Sequence, residues 1–294
     1  MTFIRTNSGI SNLAAFYGVD FIAFTEGGGS SFSMAEVMRG AFNKASVDIK
    51  FWSGLFSRYN FDKKVHFRAL GSKTCSKELR ALILDGSVRN IIVTCDSDLD
   101  DYFENKDQSP YILYTYGYSW ENDVWHPDFV MEQIKSFMFT QELGEEHSEN
   151  FRKAYATLEC DAYRLLKLET IFRTAGVSLI TDVNGERFIR GKLLPKIQTN
   201  QVIQLIKEKK VSIQRPAVID KKIDNSSALR YCYGKLVEAF GLSMISYICK
   251  SSDGIKNVPK DIVVANMIDR FTHAKELKSQ TYYQEVFEKL NLAV

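Results

Sequence analysis

Two short apolar runs, each broken off by acidic residues, constrain this chain more than any other feature. Val19-Asp20-Phe21-Ile22-Ala23-Phe24-Thr25 runs into Glu26, and Ile91-Ile92-Val93-Thr94 leads through Cys95 into Asp96-Ser97-Asp98-Leu99-Asp100-Asp101. Near-continuous apolar stretches of this length read as parallel strands buried on both faces. VHFRAL (65–70) and SPYILYTYGYS (109–119) read as further strands. Helical patterns lie between them. One runs from Ser31 to about Ala45, with Phe32, Val37, Ala41 and Phe42 on its apolar stripe and Ser30 or Ser31 as N-cap; another is SKELRALILDGSV (76–88). Alternation of this kind predicts an α/β fold with a parallel sheet covered by helices.

Beyond about residue 140 the pattern turns helical. Glu145–Gly176 is spaced for one long helix that stops at Gly176, and helices are expected in TNQVIQLIKEKK (199–210), SALRYCYGKLVEAFG (227–241) and KDIVVANMIDRFT (260–272). Asn184-Gly185 carries hairpin chemistry. The expected organisation is a catalytic α/β domain over 1–140 and a mostly helical domain for partner binding or dimerisation over 141–294. A net charge of +2 spread over 294 residues gives no global basic field, so contact with nucleic acid has to come from a local patch or from a partner. Five scattered cysteines form no Cys-x-x-Cys pair, which predicts reduced thiols in the cytoplasm. The apolar run at the N-terminus is too short for a signal peptide, and no segment is long enough to span a bilayer, so no membrane association is expected.

Gly27-Gly28-Gly29-Ser30-Ser31 invites a phosphate-loop reading, which fails on spacing. The dinucleotide fingerprint places Phe32 where its last glycine belongs, and no lysine follows as a Walker loop requires. Glycines that only tighten a strand-to-helix turn explain the run better. Glu26 is then the working residue, at the carboxyl end of a strand, where ligands of open α/β sheets bind. If both strands are parallel, Glu26 and the 96–101 cluster share one edge. Carboxylates gathered there repel one another without a cation, and hard ions such as Mg²⁺ favour them. Turn chemistry and helix capping are the bland reading of Asp96 and Asp98. A calcium loop fails because Asp101 stands where glycine is required. A haloacid-dehalogenase-type phosphatase or a D-x-D glycosyltransferase would fit the aspartates, yet neither gives Glu26 a role.

Glu26-Gly27 after one strand and Asp96-x-Asp98 after a later one resemble the Toprim domain of topoisomerases, primases and several nucleases. Tyr114–Asp123 (YTYGYSWEND) is similar to the Y-S-x-E-N signature of a Toprim subfamily often encoded beside ABC-type ATPases, and Gly234-Lys235 also looks like that subfamily. The nearest likeness is to the AriB-like Toprim effectors of PARIS anti-phage systems. This resemblance covers residues 19–125. It implies a Toprim-like (Rossmann-like) fold and an endonuclease using Mg²⁺, or Mn²⁺ in its place. Such an effector is held inactive by an ABC-type ATPase sensor, released on infection, and cleaves RNA, tRNA foremost, in abortive defence, as a homodimer when active. Relatives often carry an acid a few places after E-G, where this chain has Gly-Gly-Ser-Ser-Phe-Ser.

The expected site has Asp96 and Asp98 on the metal, with Glu26 completing the shell or acting as general base. Asp100 is a further ligand or outer group. Glu121 orients water or pairs with a nearby Lys or Arg, and Lys235 is a cation for the leaving group or a solvated lysine. Lys207, Lys209, Lys210, Arg215, Lys221 and Lys222 form the strongest local basic concentration, the place to expect phosphate-backbone contact. Tyr111, Tyr114, Tyr116, Tyr118, Trp120 and Trp125 could stack bases, with at least half of them expected in the core. His66, His126, His147 and His273 share no zinc spacing, and Cys95 reads as a buried thiol. The main alternative to an enzyme is a non-catalytic subunit that binds an ATPase through its C-terminal helices.

Overall fold

The computed structural model describes residues 7–140, 142–181, 185–190, 193–216, 218, 228–257, 259–274 and 278–294. The fold is α/β. Among the described residues, no helix is long and apolar enough to cross a membrane. The chain divides into two compact units, residues 1–116 with 268–294, and residues 117–267. This division does not coincide with the boundary expected at residue 140.

The first unit holds a four-stranded parallel sheet in the order β2-β1-β3-β4, from β1 (Phe21–Thr25), β2 (Val65–Ala69), β3 (Ile91–Cys95) and β4 (Ile112–Tyr114). Every residue of β1 and β3 is buried, as their apolar runs require. Thr25 pairs with Thr94, so the two strands end within one residue of each other and deliver Glu26 and Asp96 to the same edge. Two short helices, α1 (Asn7–Ser11) and α2 (Leu13–Tyr17), precede the sheet. Next come α3 (Met34–Met38), α4 (Val47–Arg58) and α5 (Lys73–Leu84). Ser46 caps α4 by accepting from the Ile49 amide, and Ser72 caps α5 by accepting from the Cys75 amide. One apolar cluster joins Ile22, Phe24, Ile91, Val93 and Ile112 of the sheet to Cys75 and Leu79 of α5.

The helix expected over 31–45 is shorter. A capping box between Ser33 and Glu36 starts α3 at Met34, and Gly40, with φ +89°, follows soon after its end. The strand expected over 109–119 is also cut short. After Tyr114 the Thr115 amide still donates to the Cys95 carbonyl, and the chain then turns through Gly117.

The second unit is helical, with α6 (Trp120–Val124), α7 (Pro127–Phe137), α8 (Glu145–Thr174), α9 (Thr199–Lys210), α10 (Ala228–Tyr231) and α11 (Gly234–Ser251). The long helix expected up to Gly176 is α8, which Gly176 follows in the left-handed conformation, φ +82°. The helix expected over 227–241 is two pieces with a break before Gly234. Asn184, half of the expected hairpin turn, lies outside the described residues. A two-residue antiparallel ladder joins β5 (Ile189–Arg190) to β6 (Lys196–Ile197). Gly241 admits Trp125 against α11, since a Cβ there would lie 2.5 Å from the indole. Such packing assigns α6 and α7 to this unit, although their residues precede 140.

The chain continues through α12 (Lys260–His273), whose end belongs to the first unit, and finishes in α13 (Lys278–Leu292). There Phe51 stacks on Phe271 at 5.7 Å and Phe56 meets Phe287 edge-on at 4.9 Å. The Arg58 guanidinium donates to the Thr272 and Ala274 carbonyls, 2.5 Å each. The C-terminal segment thereby completes the α/β unit.

Candidate functional site

Glu26 follows β1 directly, and Asp96-Ser97-Asp98 follows β3. Ser97 is fully buried; its amide donates to Thr115 Oγ1 at 2.9 Å and its hydroxyl donates to the Thr115 carbonyl. That double anchor fixes the turn on which both aspartates ride. Asp98 has φ +46°, a left-handed conformation that aspartate tolerates better than most residues and that recurs at functional sites.

The residue that organises this edge was missed in the sequence: Lys73, the first residue of α5. Its ammonium donates to Asp98 Oδ2 at 2.5 Å and lies 3.9 Å from Glu26 Oε1. Burial acts against its charge, but the carboxylates of Asp98, Glu26 and Asp96 outweigh that and raise its pKa above the usual lysine range. Burial is also the main reason that the Glu26 carboxyl is pushed up to about 7. Lys73 and Arg80 oppose that rise, while Asp98 and Asp48 add to it. A lysine in the first turn after a Gly-Ser cap was the available sign, because a cation there faces the positive end of the helix dipole.

Asp48 is the second residue missed. It sits in the first turn of α4, and its carboxylate lies so close to Gly27 that a Cβ there would fall 1.9 Å from Oδ2. A carboxylate thus reaches the start of the glycine run from a different element. The same geometry explains the glycine run. A Cβ on Gly28 would meet the Asn43 amide group at 2.3 Å, and one on Gly71, itself at φ +64°, would fall 2.0 Å from the Ser30 carbonyl oxygen. Asn43 clamps the loop by accepting from the Ser30 amide and donating to the Ser30 and Ala69 carbonyls. Gly27, Gly28 and Gly71 serve close approach of loop to neighbour, whereas a Cβ on Gly29 would meet open space.

Among the described residues, no three His, Cys, Asp or Glu side chains stand together as a ready metal-ligand set. The donor chemistry of Glu26, Asp96 and Asp98 nevertheless suits a hard divalent ion, and one cation, the Lys73 ammonium, already lies against Glu26 and Asp98. Asp100 belongs to the following turn, its amide donating to the Ser97 carbonyl at 2.8 Å.

In the second unit Glu121 and Lys235 meet, with Lys235 Nζ 2.5 Å from Glu121 Oε1 and 2.9 Å from Glu238 Oε2. Lys260 Nζ takes the other Glu238 oxygen at 3.0 Å. Glu121 and Glu238 are both buried, and Ser119 Oγ donates to Glu121. Burial again opposes the Lys235 charge, and the two glutamates raise its pKa regardless. Asn122 donates to the Leu229 and Cys232 carbonyls at 2.7 and 2.8 Å. A Cβ on Gly234 would fall 1.9 Å from Ser119 Oγ. The Ser-Trp-Glu-Asn stretch and the Gly-Lys pair therefore form one interlocked assembly, in which Glu121 pairs with a lysine.

Lys207, Lys209 and Lys210 occupy the last turn of α9, where cations complement the helix dipole. Lys209 donates to Thr181 Oγ1 and Arg215 to the Thr174 carbonyl. Lys207, Lys210 and Arg215 are exposed, whereas Lys221 and Lys222 lie outside the described residues. Tyr114, Trp120 and Trp125 are core residues, which leaves Tyr111, Tyr116 and Tyr118 half-buried. Cys95 is buried beside Ser76, and burial pushes its thiol well above the ordinary range. Sequence comparison finds no matching family model and no similar curated protein.

Proposed function

We propose that this chain is a Toprim-like, Mg²⁺-dependent endonuclease effector of the kind found in PARIS anti-phage systems, cleaving RNA, tRNA foremost, once released from an ABC-type ATPase. The supporting observation is the convergence of Glu26 and Asp98, from adjacent parallel strands, on one cationic position held by Lys73. Asp96 and Asp98, with Asp100 as a further carboxylate, are the residues to hold the ion, which when bound neutralises charge on the scissile phosphate. Glu26, beside the two aspartates at the end of its strand, accepts the proton of the attacking hydroxyl. The Ser97–Thr115 anchor keeps the two aspartates on target. Lys235, committed to Glu121 and Glu238, is assigned to positioning within its own unit. The exposed Lys207, Lys210 and Arg215 supply phosphate-backbone contact.

The test is cleavage of total tRNA, other RNA and duplex DNA, with Mg²⁺ or EDTA, with and without the ATPase. Glu26→Gln and Asp98→Asn, checked for folding, should each lower cleavage at least ~100-fold. EDTA-resistant cleavage, or full activity in Asp98→Asn, refutes the reading. Silence towards every substrate, even with the ATPase, favours a regulatory subunit.

A further inference from the structure

The nuclease reading gives no task to Lys73, and three features of its placement call for one. It opens α5, whose first turn contains no acid, so its charge faces the unfavourable end of the helix dipole. Its side chain is 62% exposed, while those of Glu26 and Asp98 are 14% and 22% exposed, so the stem lies in solvent and only the ammonium reaches in. The ammonium spans carboxylates that arrive from two different strands.

We propose that Lys73 is a tethered competitor for the metal. In the ion-free protein its ammonium neutralises the Glu26–Asp96–Asp98 edge, and a divalent cation binds only by displacing it into solvent. Lys73 thereby sets the metal concentration at which the site loads. This inference rests on the metal-dependent reading of that edge. A long, flexible, largely exposed stem suits the task, since it swings away without disturbing the sheet.

Displacement has two signatures independent of cleavage. Titration of Mn²⁺ by calorimetry should show Lys73→Met, and Lys73→Gln as a second variant should the first fold poorly, binding at least tenfold more tightly than the unaltered chain. Lys73→Arg, which retains the cation, should not gain affinity. Amine-reactive labelling read by mass spectrometry should show Lys73 modification rising when Mg²⁺ is added to the unaltered protein. In Asp98→Asn, Lys73 should be labelled readily with or without the ion. Equal or weaker Mn²⁺ binding by Lys73→Met and Lys73→Gln, or unchanged Lys73 labelling in saturating Mg²⁺, overturns the proposal and leaves the metal reading standing. Absence of Mn²⁺ binding in every variant removes both.

Discussion

Two lysine–carboxylate clusters serve opposite ends in this molecule. In the helical unit Lys235, half-buried, pairs with Glu121 and Glu238, both buried, and Lys260 supports the second glutamate. In the α/β unit Lys73 spans Glu26 and Asp98 from the solvent side, with most of its stem exposed. Burying a charge is expensive, so the first arrangement tolerates no missing partner, whereas water can replace a partner in the second. Under the proposal above, the open cluster gives up its lysine to a metal ion, whereas the cluster of buried glutamates keeps its own.

The largest effect should come from Lys235→Met, which takes the lysine from the buried Glu121 carboxylate and leaves Glu238 with Lys260 alone. A loss of about 3–5 kcal/mol is expected in urea denaturation. A loss below about 1 kcal/mol would mean that Glu121 and Glu238 reach water or Lys260 unaided, and the contrast between the clusters would fade.

Next in size is a pH effect at Glu26. Its folded pKa of about 7 stands above its ordinary 4.5. Folding is therefore favoured below about 4.5, and that contribution is lost as pH rises through 7. At about 1.4 kcal/mol per pKa unit the full loss is roughly 3–4 kcal/mol. In EDTA, Glu26→Gln should be more stable than the unaltered chain at pH 7.5, with the gap closing near pH 4.5. A gap of equal size at both pH values would show that burial does not hold the Glu26 proton.

The sequence made the open edge partly legible. Apolar runs that end in carboxylates announced β1 and β3, and parallel pairing follows from helices between them. Lys73 and Asp48 stayed hidden because each stands at the start of a helix, and only three-dimensional packing carries it to a strand end. The glycine run was read as a tight turn, but its neighbours Asn43, Asp48 and Gly71 could not be read, since close approach leaves no local pattern. In the other unit the Ser-Trp-Glu-Asn and Gly-Lys motifs were visible separately, and their interlocking was not. Phe271 and Phe287 gave no sign in periodicity that they belong with α4.

Smaller than either charge effect is the loss expected for Asn122→Ala. Its amide donates to two carbonyls of the 229–232 segment, and removing the donor leaves both unsatisfied. About 2 kcal/mol should be lost, with Lys235→Met and Asn122→Ala together costing less than their sum, because both loosen the same turn. Strict additivity in the double mutant would separate the hydrogen bonds from the ion pairs.

The smallest expected effect divides the two clusters most cleanly. Lys73→Met removes a short ion pair, but the lysine is largely exposed, and such pairs contribute about 0–1 kcal/mol. It also removes a cation from a helix N-terminus, which returns roughly 0.3–1 kcal/mol. These terms oppose each other, so in EDTA at neutral pH stability should change by under about 1 kcal/mol in either direction. Thermal unfolding beside Lys235→Met is the direct comparison. A Lys73→Met loss near that of Lys235→Met would make Lys73 a fixed structural ion, because a cation whose departure unfolds the sheet edge cannot also be the one that yields to a metal.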